Sequence, residues 1–300
     1  MFSICEKTYS GKMKINLKAL KPLIKQALKE DLGTGDITSQ FTVPEDAGGL
    51  ALVLAKQDGV LAGIDVCRQV FLAVDPAIKA DVQIKDGENV ELGQVVLAIQ
   101  GKTRSILAAE RTALNFLQHL SGIATLTARY VEAVKGTRAR ILDTRKTTPG
   151  LRALEKYAVA CGGGQNHRMG LWDMVLIKDN HIEAAGGVAD AIRKVMGADH
   201  GKMRIEVEVQ NLAQLEEAVA EEPDVIMLDN MKPERMAEAC RLAFSHPARD
   251  RGKLKLEASG NVGLENVRSI AECGVDYISV GAITHSAPAL DFSLQLKAVG

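Results

Sequence analysis

The sequence predicts an α/β protein in two parts, an α+β module followed by an incomplete α/β barrel. Beyond residue 140, apolar runs alternate with helical patterns, which is typical of parallel strands joined by helical crossovers. Each of these runs ends on a residue that can do chemistry or approach a ligand, as the strands of α/β barrels do at their carboxyl ends. These residues are Asp143, Lys178, Glu208, Asp229, Ser259 and Gly281. An open, doubly wound sheet is the alternative architecture.

The N-terminal module is expected to begin with a helix over residues 16–30. Asn16 can cap this helix, and Leu20, Ile24 and Leu28 lie on one apolar stripe. Glycine-containing turns then separate short strand-like runs, which indicates an antiparallel or mixed sheet. The strand-like runs are residues 50–55, 78–84 and 95–100, and a second helical pattern covers residues 63–74.

Two helices are expected next, over residues 104–120 and 122–135, with Gly122 between them. The barrel strands are expected at 140–142, 174–177, 205–209, 225–228, 254–256 and 277–280, with helices near 150–161, 187–196, 211–220, 232–244 and 263–272. Apolar residues alternate with period two over 290–296, which predicts a half-buried strand that returns to the first module. We therefore place the first domain at 1–112, the barrel at 113–287 and the returning tail at 288–300.

The composition limits the classes of function. Lysine and arginine number 37 against 38 aspartate and glutamate, a net charge of −1 that argues against binding to nucleic acid. We expect no membrane partner, because the sequence has no continuous apolar run of about 18 residues. The first residues have no signal-peptide pattern, so we expect a cytoplasmic protein. The cysteines are odd in number and dispersed, which disfavours disulfide scaffolds and zinc knuckles.

Cationic side chains are concentrated in three segments, DTRKTTPGLR at 143–152, GGGQNHR at 162–168 and LIKDNH at 176–181. Each segment alone could be a solvated basic loop or a flexible turn. Together they place an excess of positive charge on loops after two successive strands, which favours a small polyanionic ligand. The cations are Arg145, Lys146, Arg152, His167, Arg168, Lys178 and His181.

Carboxylates of opposite sign stand at two later strand ends, Glu208 and Asp229. Glu206 lies two residues before Glu208 and therefore faces the same side of its strand. Such carboxylates can hold Mg²⁺ or the hydroxyls of a sugar, or they can simply balance the cations. The segments ASGN at 258–261 and SVGA at 279–282 follow the last two apolar runs, where barrels commonly bind phosphate.

The segments taken together resemble the quinolinate phosphoribosyltransferase family over nearly the whole chain. The resemblance is carried by EDLGTGDIT at 30–38, ERTALNFLQHLSGIAT at 110–125, DTRKTTPGLR at 143–152, GGGQNHRMGLWDMVLIKDNH at 162–181, EVEV at 206–209, MLDN at 227–230, EASGN at 257–261 and DYISVGAIT at 276–284. It implies an N-terminal α/β sandwich and an incomplete, TIM-like α/β barrel. It also implies the Mg²⁺-dependent conversion of quinolinate and phosphoribosyl pyrophosphate to nicotinate mononucleotide, pyrophosphate and CO₂ in NAD biosynthesis.

The resemblance also assigns roles to individual residues. Lys146, Glu208 and Asp229 are expected to be catalytic, and the two carboxylates are expected to hold Mg²⁺ directly or indirectly. Arg111 is expected to reach the site of a neighbouring subunit in a homodimer or a higher homo-oligomer. The residues expected to bind substrate are Arg111, Thr144, Arg145, Lys146, His167, Arg168, Lys178, His181, Glu208, Asp229, Ser259, Gly260, Asn261, Gly281 and Ala282.

Three alternatives remain open at this point. A related enzyme could act on another pyridine or azole acid, because the pair Arg145 and Arg168 indicates a dicarboxylate without specifying quinolinate. A phosphosugar lyase could use Lys178 to form a Schiff base. A metabolite-binding regulator could have the cationic pocket without turnover, although it would leave Glu208 and Asp229 without a role.

Overall fold

The computed structural model describes residues 5–7, 13–247 and 252–298. The chain divides into two compact units, and the division differs in detail from the predicted domain boundaries at 112 and 287. The first unit consists of Met1–Ala128, Thr147–Gly163 and Ser286–Gly300, and the second of Arg129–Lys146 and Gly164–His285. Among the described residues, no helix is both long enough and apolar enough to cross a membrane.

The first unit contains an antiparallel sheet of four strands, in the order β14-β3-β7-β5. The predicted tail strand is β14, which pairs with β3 along its whole length, from Phe292 opposite Ala55 to Ala298 opposite Gly49. The strands of this unit are β1 (Cys5–Lys7), β2 (Met13–Ile15), β3 (Gly48–Ala55), β4 (Gly59–Val60), β5 (Lys79–Val82), β6 (Asn89–Val90), β7 (Val95–Lys102) and β14 (Phe292–Ala298).

Helix α1 of the first unit follows the predicted capping and apolar pattern. Helix α1 begins after Asn16, whose side chain accepts hydrogen bonds from the N–H groups of Lys18 and Ala19, and it buries Leu20, Ile24 and Leu28. These contacts satisfy N–H groups that have no partner inside the helix. The helices are α1 (Leu17–Leu32), α2 (Ile37–Thr42), α3 (Ile64–Val74), α4 (Thr103–Ala133), whose last residues belong to the second unit, and α5 (Arg152–Cys161).

Helix α4 corrects the prediction of two helices separated at Gly122. It runs without interruption from Thr103 to Ala133, and the predicted boundary at residue 112 lies inside it. A Cβ atom at Gly122 would lie 2.1 Å from the carbonyl oxygen of Pro288. The glycine is therefore needed for close packing of the returning chain against the helix, and it does not end the helix.

The second unit contains a parallel sheet of six strands, and the predicted apolar runs form these strands. They are β8 (Arg140–Leu142), β9 (Val175–Ile177), β10 (Ile205–Val209), β11 (Val225–Asp229), β12 (Lys255–Ser259) and β13 (Tyr277–Ser279). The intervening helices are α6 (Asp179–Ala185), α7 (Val188–Met196), α8 (Leu212–Ala220), α9 (Pro233–Phe244), α10 (Val267–Glu272) and α11 (Ala282–His285).

The order of these strands identifies an incomplete barrel and excludes a doubly wound sheet. Strands β9 to β13 are neighbours in chain order, and the first strand, β8, pairs with the last, β13. The order is therefore circular, with an interruption between β8 and β9. At this interruption, Gln165 forms an isolated parallel bridge with Leu142. Because all six strands are parallel, their carboxyl ends lie together at one rim.

Candidate active site

A cavity of about 740 Å³ lies at the carboxyl ends of the barrel strands. Its lining includes every residue predicted to bind substrate except Arg111 and His181. The lining residues are Thr144, Arg145, Lys146, His167, Arg168, Leu176, Lys178, Asp179, Glu208, Met227, Asp229, Asn230, Ser259, Gly260, Asn261, Val262, Ser279, Gly281, Ala282 and His285. The volume is sufficient for two small-molecule substrates.

The two exceptions lie elsewhere. Arg111 is an exposed residue of α4 in the first unit, and its role across subunits stays a prediction. His181 lies in the first turn of α6, where its Nδ1 accepts a hydrogen bond of 3.0 Å from the backbone N–H of Lys178. This bond closes the turn that follows β9, so His181 fixes the backbone from which the Lys178 side chain extends.

Lys178 and Glu208 form an ion pair and a hydrogen bond in the cavity. The Lys178 side chain is 44% exposed, whereas that of Glu208 is 14% exposed. Lys178 directly follows β9, and Glu208 lies near the end of β10. These parallel strands are neighbours, which explains why the two side chains meet. Because the amine is held by a carboxylate, the contact favours an electrostatic role for Lys178 over Schiff-base chemistry.

Arg168 is the most enclosed cation of the site. Only 9% of the residue is exposed, and its guanidinium donates a hydrogen bond of 3.3 Å to the carbonyl oxygen of Met174. Burial lowers the pKa of Arg168 from its usual value, and the positive charge of Arg145 lowers it further. Two arginines that repel each other in one cavity would both be stabilised by a ligand that carries two negative charges.

The backbone that carries Arg168 is fixed by a carboxylate that was not among the predicted site residues. Asp143 is fully buried at the end of β8. It accepts hydrogen bonds from the His167 N–H at 2.9 Å and from the side-chain amide of Asn166 at 2.6 Å. Asp143 therefore ties the glycine-rich segment to the barrel across the interruption between β8 and β9.

His167 points into the barrel, and its side chain is 8% exposed. Its Nδ1 accepts the Arg168 N–H at 2.8 Å, and its Nε2 lies 3.0 Å from Oε2 of Glu206. A second carboxylate, Oε1 of Glu257, lies 3.6 Å from the same nitrogen and accepts a hydrogen bond from the hydroxyl of Ser279.

The pKa values of both carboxyl groups are raised. Burial raises the pKa of Glu206 to about 8, and the negative charge of Glu208 adds to the shift. Burial likewise raises the pKa of Glu257 to about 8, together with the negative charge of Glu206, while His167 and Ser279 act in the opposite direction. The cause is the removal of both groups from water inside the barrel.

Just after the ends of β11 and β12, two asparagines of the cavity lining adopt the left-handed backbone conformation, Asn230 with φ 53° and Asn261 with φ 52°. The Asn230 amide donates to Asp229 at 3.0 Å, and the Asn261 amide donates to Asn230 at 3.1 Å. Asparagine tolerates this conformation better than most residues. The pair thus links the ends of β11 and β12 and orients the Asp229 carboxylate.

Comparison with known proteins gives matches along almost the whole chain. Residues 36–121 match the model of the N-terminal domain of quinolinate phosphoribosyl transferase, and residues 123–295 match that of its C-terminal domain. The chain belongs to the quinolinate phosphoribosyltransferase family.

Individual relatives agree with this membership. Quinolinate phosphoribosyltransferase [decarboxylating] 1b of Nicotiana tabacum is 46% identical over 92% of this chain and 82% of the relative. Nicotinate-nucleotide pyrophosphorylase [carboxylating] of Mycobacterium leprae is 46% identical over 93% of this chain and 97% of the relative. The crystal structure of NadC from Streptococcus pyogenes superimposes with a TM-score of 0.90 at 41% identity, over 96% of this chain and 99% of that structure.

Several lining residues of this family member were not predicted from the sequence. Leu176, Met227 and Ser279 each lie two positions before a predicted strand-end residue and line the same cavity. The two-residue period of a strand could have identified them, because residues at i and i+2 share a face. His285 lies four positions after Gly281, one helical turn along α11, and the helical period gives the corresponding signal.

The helix after Gly281 in this family member, α11, also holds Lys146 in place. The Thr284 hydroxyl donates a hydrogen bond of 2.7 Å to the Lys146 carbonyl oxygen. A Cβ atom at Gly281 would lie 3.2 Å from the Lys146 side chain and 3.1 Å from the ring of His285. The small residue predicted at this strand end therefore leaves room for two cationic or polar side chains at the cavity wall.

Proposed function

We propose that this protein is a quinolinate phosphoribosyltransferase (decarboxylating) of NAD biosynthesis. It would convert quinolinate and phosphoribosyl pyrophosphate to nicotinate mononucleotide, pyrophosphate and CO₂. The observation that carries the proposal is a single cavity that is lined both by the cations Arg145 and Arg168 and by the carboxylates Glu208 and Asp229. Family membership independently supports the same reaction.

Arg145 and Arg168 support the binding of quinolinate. This substrate carries two adjacent carboxylates, and the planar fork of arginine recognises carboxylate with two parallel hydrogen bonds. Arg145 and Arg168 are close enough for the charge of one to shift the pKa of the other. A dicarboxylate placed between them would remove that repulsion, which a monocarboxylate would do less completely.

The segments that follow β12 and β13 support the binding of phosphoribosyl pyrophosphate. Ser259, Gly260 and Asn261 follow β12, and Gly281 and Ala282 follow β13, where barrels commonly bind phosphate groups. In this proposal the ribose hydroxyls lie against the carboxylates of the neighbouring strands. Lys146 then provides a cation close to the pyrophosphate that leaves.

The chemistry follows from these placements. The pyridine nitrogen donates its electron pair to C1 of the ribose while the bond from C1 to pyrophosphate breaks. Glu208 and Asp229 stabilise the positive charge that develops at C1. The ring nitrogen is now cationic, so the carboxylate beside it leaves as CO₂ and its bonding electrons remain on the ring carbon. A protonated lysine or histidine of the cavity supplies the proton that completes nicotinate mononucleotide.

Magnesium fits the residues present. Asp229 and Glu208 provide the hard oxygen ligands that Mg²⁺ prefers. The Asp229 carboxylate accepts a hydrogen bond from the side-chain amide of Asn230, whereas Glu208 already forms an ion pair with Lys178. We therefore propose that Asp229 holds the ion and that Glu208 acts on it indirectly. A bound Mg²⁺ would neutralise charge on the departing pyrophosphate.

We further propose that the protein works as a homodimer or a higher homo-oligomer in which Arg111 reaches the site of a neighbouring subunit. Large apolar side chains are exposed in both units, with Ile37 63% and Phe41 85% exposed in the first and Leu171 75% and Trp172 64% exposed in the second. Exposed aromatic and aliphatic side chains of this size are typical of surfaces that bind another protein.

The proposed function is tested directly by incubating the purified protein with quinolinate, phosphoribosyl pyrophosphate and Mg²⁺ and measuring nicotinate mononucleotide and CO₂. We expect equal amounts of both products. Nicotinate, which lacks the second carboxylate, and an azole dicarboxylate serve as competing substrates. A folded protein that forms no product from quinolinate, or that prefers either competitor, would refute the proposal.

A further inference from the structure

A polar layer lies inside the barrel beneath the cavity, formed by His167, Glu206, Glu257 and Ser279. Glu206 and Glu257 are each 1% exposed. The interior of an α/β barrel is usually filled by branched aliphatic side chains, and burying carboxylates there is costly unless each finds polar partners. Ser279 supplies one partner by donating to Glu257. Both carboxylates also approach Nε2 of His167, and Arg204 lines the same small cavity.

The imidazole of His167 is engaged on both sides. Nδ1 accepts the Arg168 N–H at 2.8 Å, so this nitrogen does not carry the ring proton. The proton is therefore assigned to Nε2, which faces Glu206 at 3.0 Å and Glu257 at 3.6 Å. The two carboxylates face one edge of the ring at ion-pair distance, and the other edge accepts a hydrogen bond from the backbone N–H of Arg168.

This anchoring matters because of where His167 lies in the fold. Its segment crosses the interruption between β8 and β9, where Gln165 makes an isolated bridge. In the described part of the chain, the ladder does not continue from Gln165 to Arg168. Side chains therefore fix a backbone that strand pairing does not, with Asp143 holding the His167 N–H and the polar layer holding its ring.

We infer that Glu257 is a positioning residue for quinolinate, which acts by holding the imidazole of His167 and, through it, the guanidinium of Arg168. The inference rests on the proposed function and assigns Glu257 no contact with substrate. Glu257 lies in β12 and reaches His167 across the barrel interior, while Ser279 of β13 fixes its carboxylate. Because the phosphate-binding segments do not include His167, the effect is specific to one substrate.

The test is the variant Glu257→Gln, which retains the shape of the side chain and replaces the titratable carboxyl group by an amide. We expect the KM and the Kd for quinolinate to rise about tenfold, as is usual when a residue that orients a ligand-binding group is altered. The KM for phosphoribosyl pyrophosphate should change less than about twofold, a split that general destabilisation would not produce. If this variant does not fold, Glu257→Asp, which withdraws the carboxylate from His167, is measured in the same way.

Asp276→Asn is the matched control. Asp276 is a buried carboxylate of the same barrel, 7% exposed, and it accepts the Leu256 N–H at 2.9 Å. It lies just before β13, at the opposite end of the strands from the cavity. We expect this variant to lower the melting temperature and to leave the quinolinate KM within about twofold of the wild type.

The possible outcomes distinguish a failure of this inference from a failure of the proposed function. An active wild type together with a Glu257 variant of unchanged quinolinate affinity, or of equally weakened affinity for both substrates, would overturn the inference and leave the proposed function intact. An inactive, folded wild type would overturn both. The ligand atoms of His167, Glu206 and Glu257 also lie within 4.8 Å of one another. A stoichiometric metal ion in the wild type that Glu257→Gln loses would replace the positioning role by a metal site.

Discussion

Lys178 and Glu208 form an ion pair in the cavity, although their proposed roles differ, since Lys178 is expected to bind substrate and Glu208 to stabilise the charge at the ribose C1. The ion pair joins the ends of two neighbouring strands, β9 and β10. Each side chain therefore sets the charge that the other presents to its substrate. We therefore expect this contact to couple the binding of the two proposed substrates.

This coupling predicts a non-additive pair of variants. Lys178→Met and Glu208→Gln should each lower kcat/KM about a hundredfold, because each removes a charge used in the transition state and leaves its partner uncompensated. The double variant should lose much less than the product of the two effects. Steady-state kinetics of all four proteins give the coupling energy. Effects that simply multiply would show that the ion pair has no role in the reaction.

Gly260→Ala should inactivate the protein. A Cβ atom at this position would lie 2.1 Å from Oδ1 of Asn230, and the backbone has φ 93°, a conformation that costs alanine about 1–2 kcal/mol. The clash displaces Asn230 and with it the Asp229 carboxylate, so we expect the loss of phosphoribosyl pyrophosphate binding in calorimetric titrations.

Gly136→Ala separates the clash from the backbone strain. Gly136 has a similar φ of 82°, and a Cβ atom there would meet nothing within 4 Å. This control should lose a comparable amount of stability from strain while binding phosphoribosyl pyrophosphate normally. Equal binding by both variants would refute the proposed link from Gly260 to Asp229.

Asp143→Asn should destabilise the protein and weaken quinolinate binding. The carboxylate accepts hydrogen bonds from the His167 N–H and the Asn166 amide, and an asparagine would turn an N–H₂ group toward one of these donors. An unsatisfied buried donor costs about 1–3 kcal/mol. Denaturant titration measures the loss of stability, and calorimetry measures the affinity. A stable variant with wild-type affinity would contradict this role for Asp143.

The stability of the protein should depend on pH through Glu257. Its native pKa of about 8 lies above the value of about 4.3 expected in an unfolded chain, so the native state binds this proton more tightly. The carboxyl therefore contributes stability that is fully present below its unfolded pKa and is lost as the pH rises toward 8. Glu206, His167, Arg204 and Ser279 also act on this carboxyl, so the effect is read as a difference between proteins.

The measurement is the melting temperature of the wild type minus that of Glu257→Gln, followed between about pH 5 and pH 9. We expect this difference to fall steadily over that interval and to level off at its upper end. A difference that stays constant would show that Glu257 does not change its protonation in the native state.

Mixed oligomers test the predicted role of Arg111. Arg111→Ala and Lys146→Ala should each abolish turnover on its own. If Arg111 acts in the site of a neighbouring subunit, a mixture of the two inactive proteins contains some sites in which both side chains are intact. We expect partial recovery of activity after subunit exchange, which is followed by mass spectrometry. Exchange without recovery would count against a shared site.

The barrel could be predicted because its determinants are local. A buried parallel strand such as β11 contains a continuous apolar run, and the run ends where a polar residue must meet solvent or ligand, as at Asp229. The periodicities of helices and strands can be recognised from residues that are close together in the sequence. The same reasoning placed β14, whose alternation is a property of seven residues alone.

The remaining features depend on contacts between distant residues. Gly122 appears in the sequence as a helix break, and only the approach of Pro288 reveals why the helix continues through it. The two-residue period places Glu257 on the same face as Ser259, but its approach to His167 depends on the closure of the barrel and has no local signal. Asp143 was identified as a strand end, but its two hydrogen-bond partners lie 23 and 24 residues away.

Because β14 pairs with β3, the sheet of the first unit can be completed only late in translation. Residues 292–298 complete the sheet of the first unit, yet the ribosome makes them only after the whole barrel. At about 5–20 residues per second, some 190 residues between β7 and β14 take about 10–40 s to translate. Throughout that interval β3 has a vacant side where its partner strand will bind. The first unit to emerge from the ribosome is therefore the last to be completed.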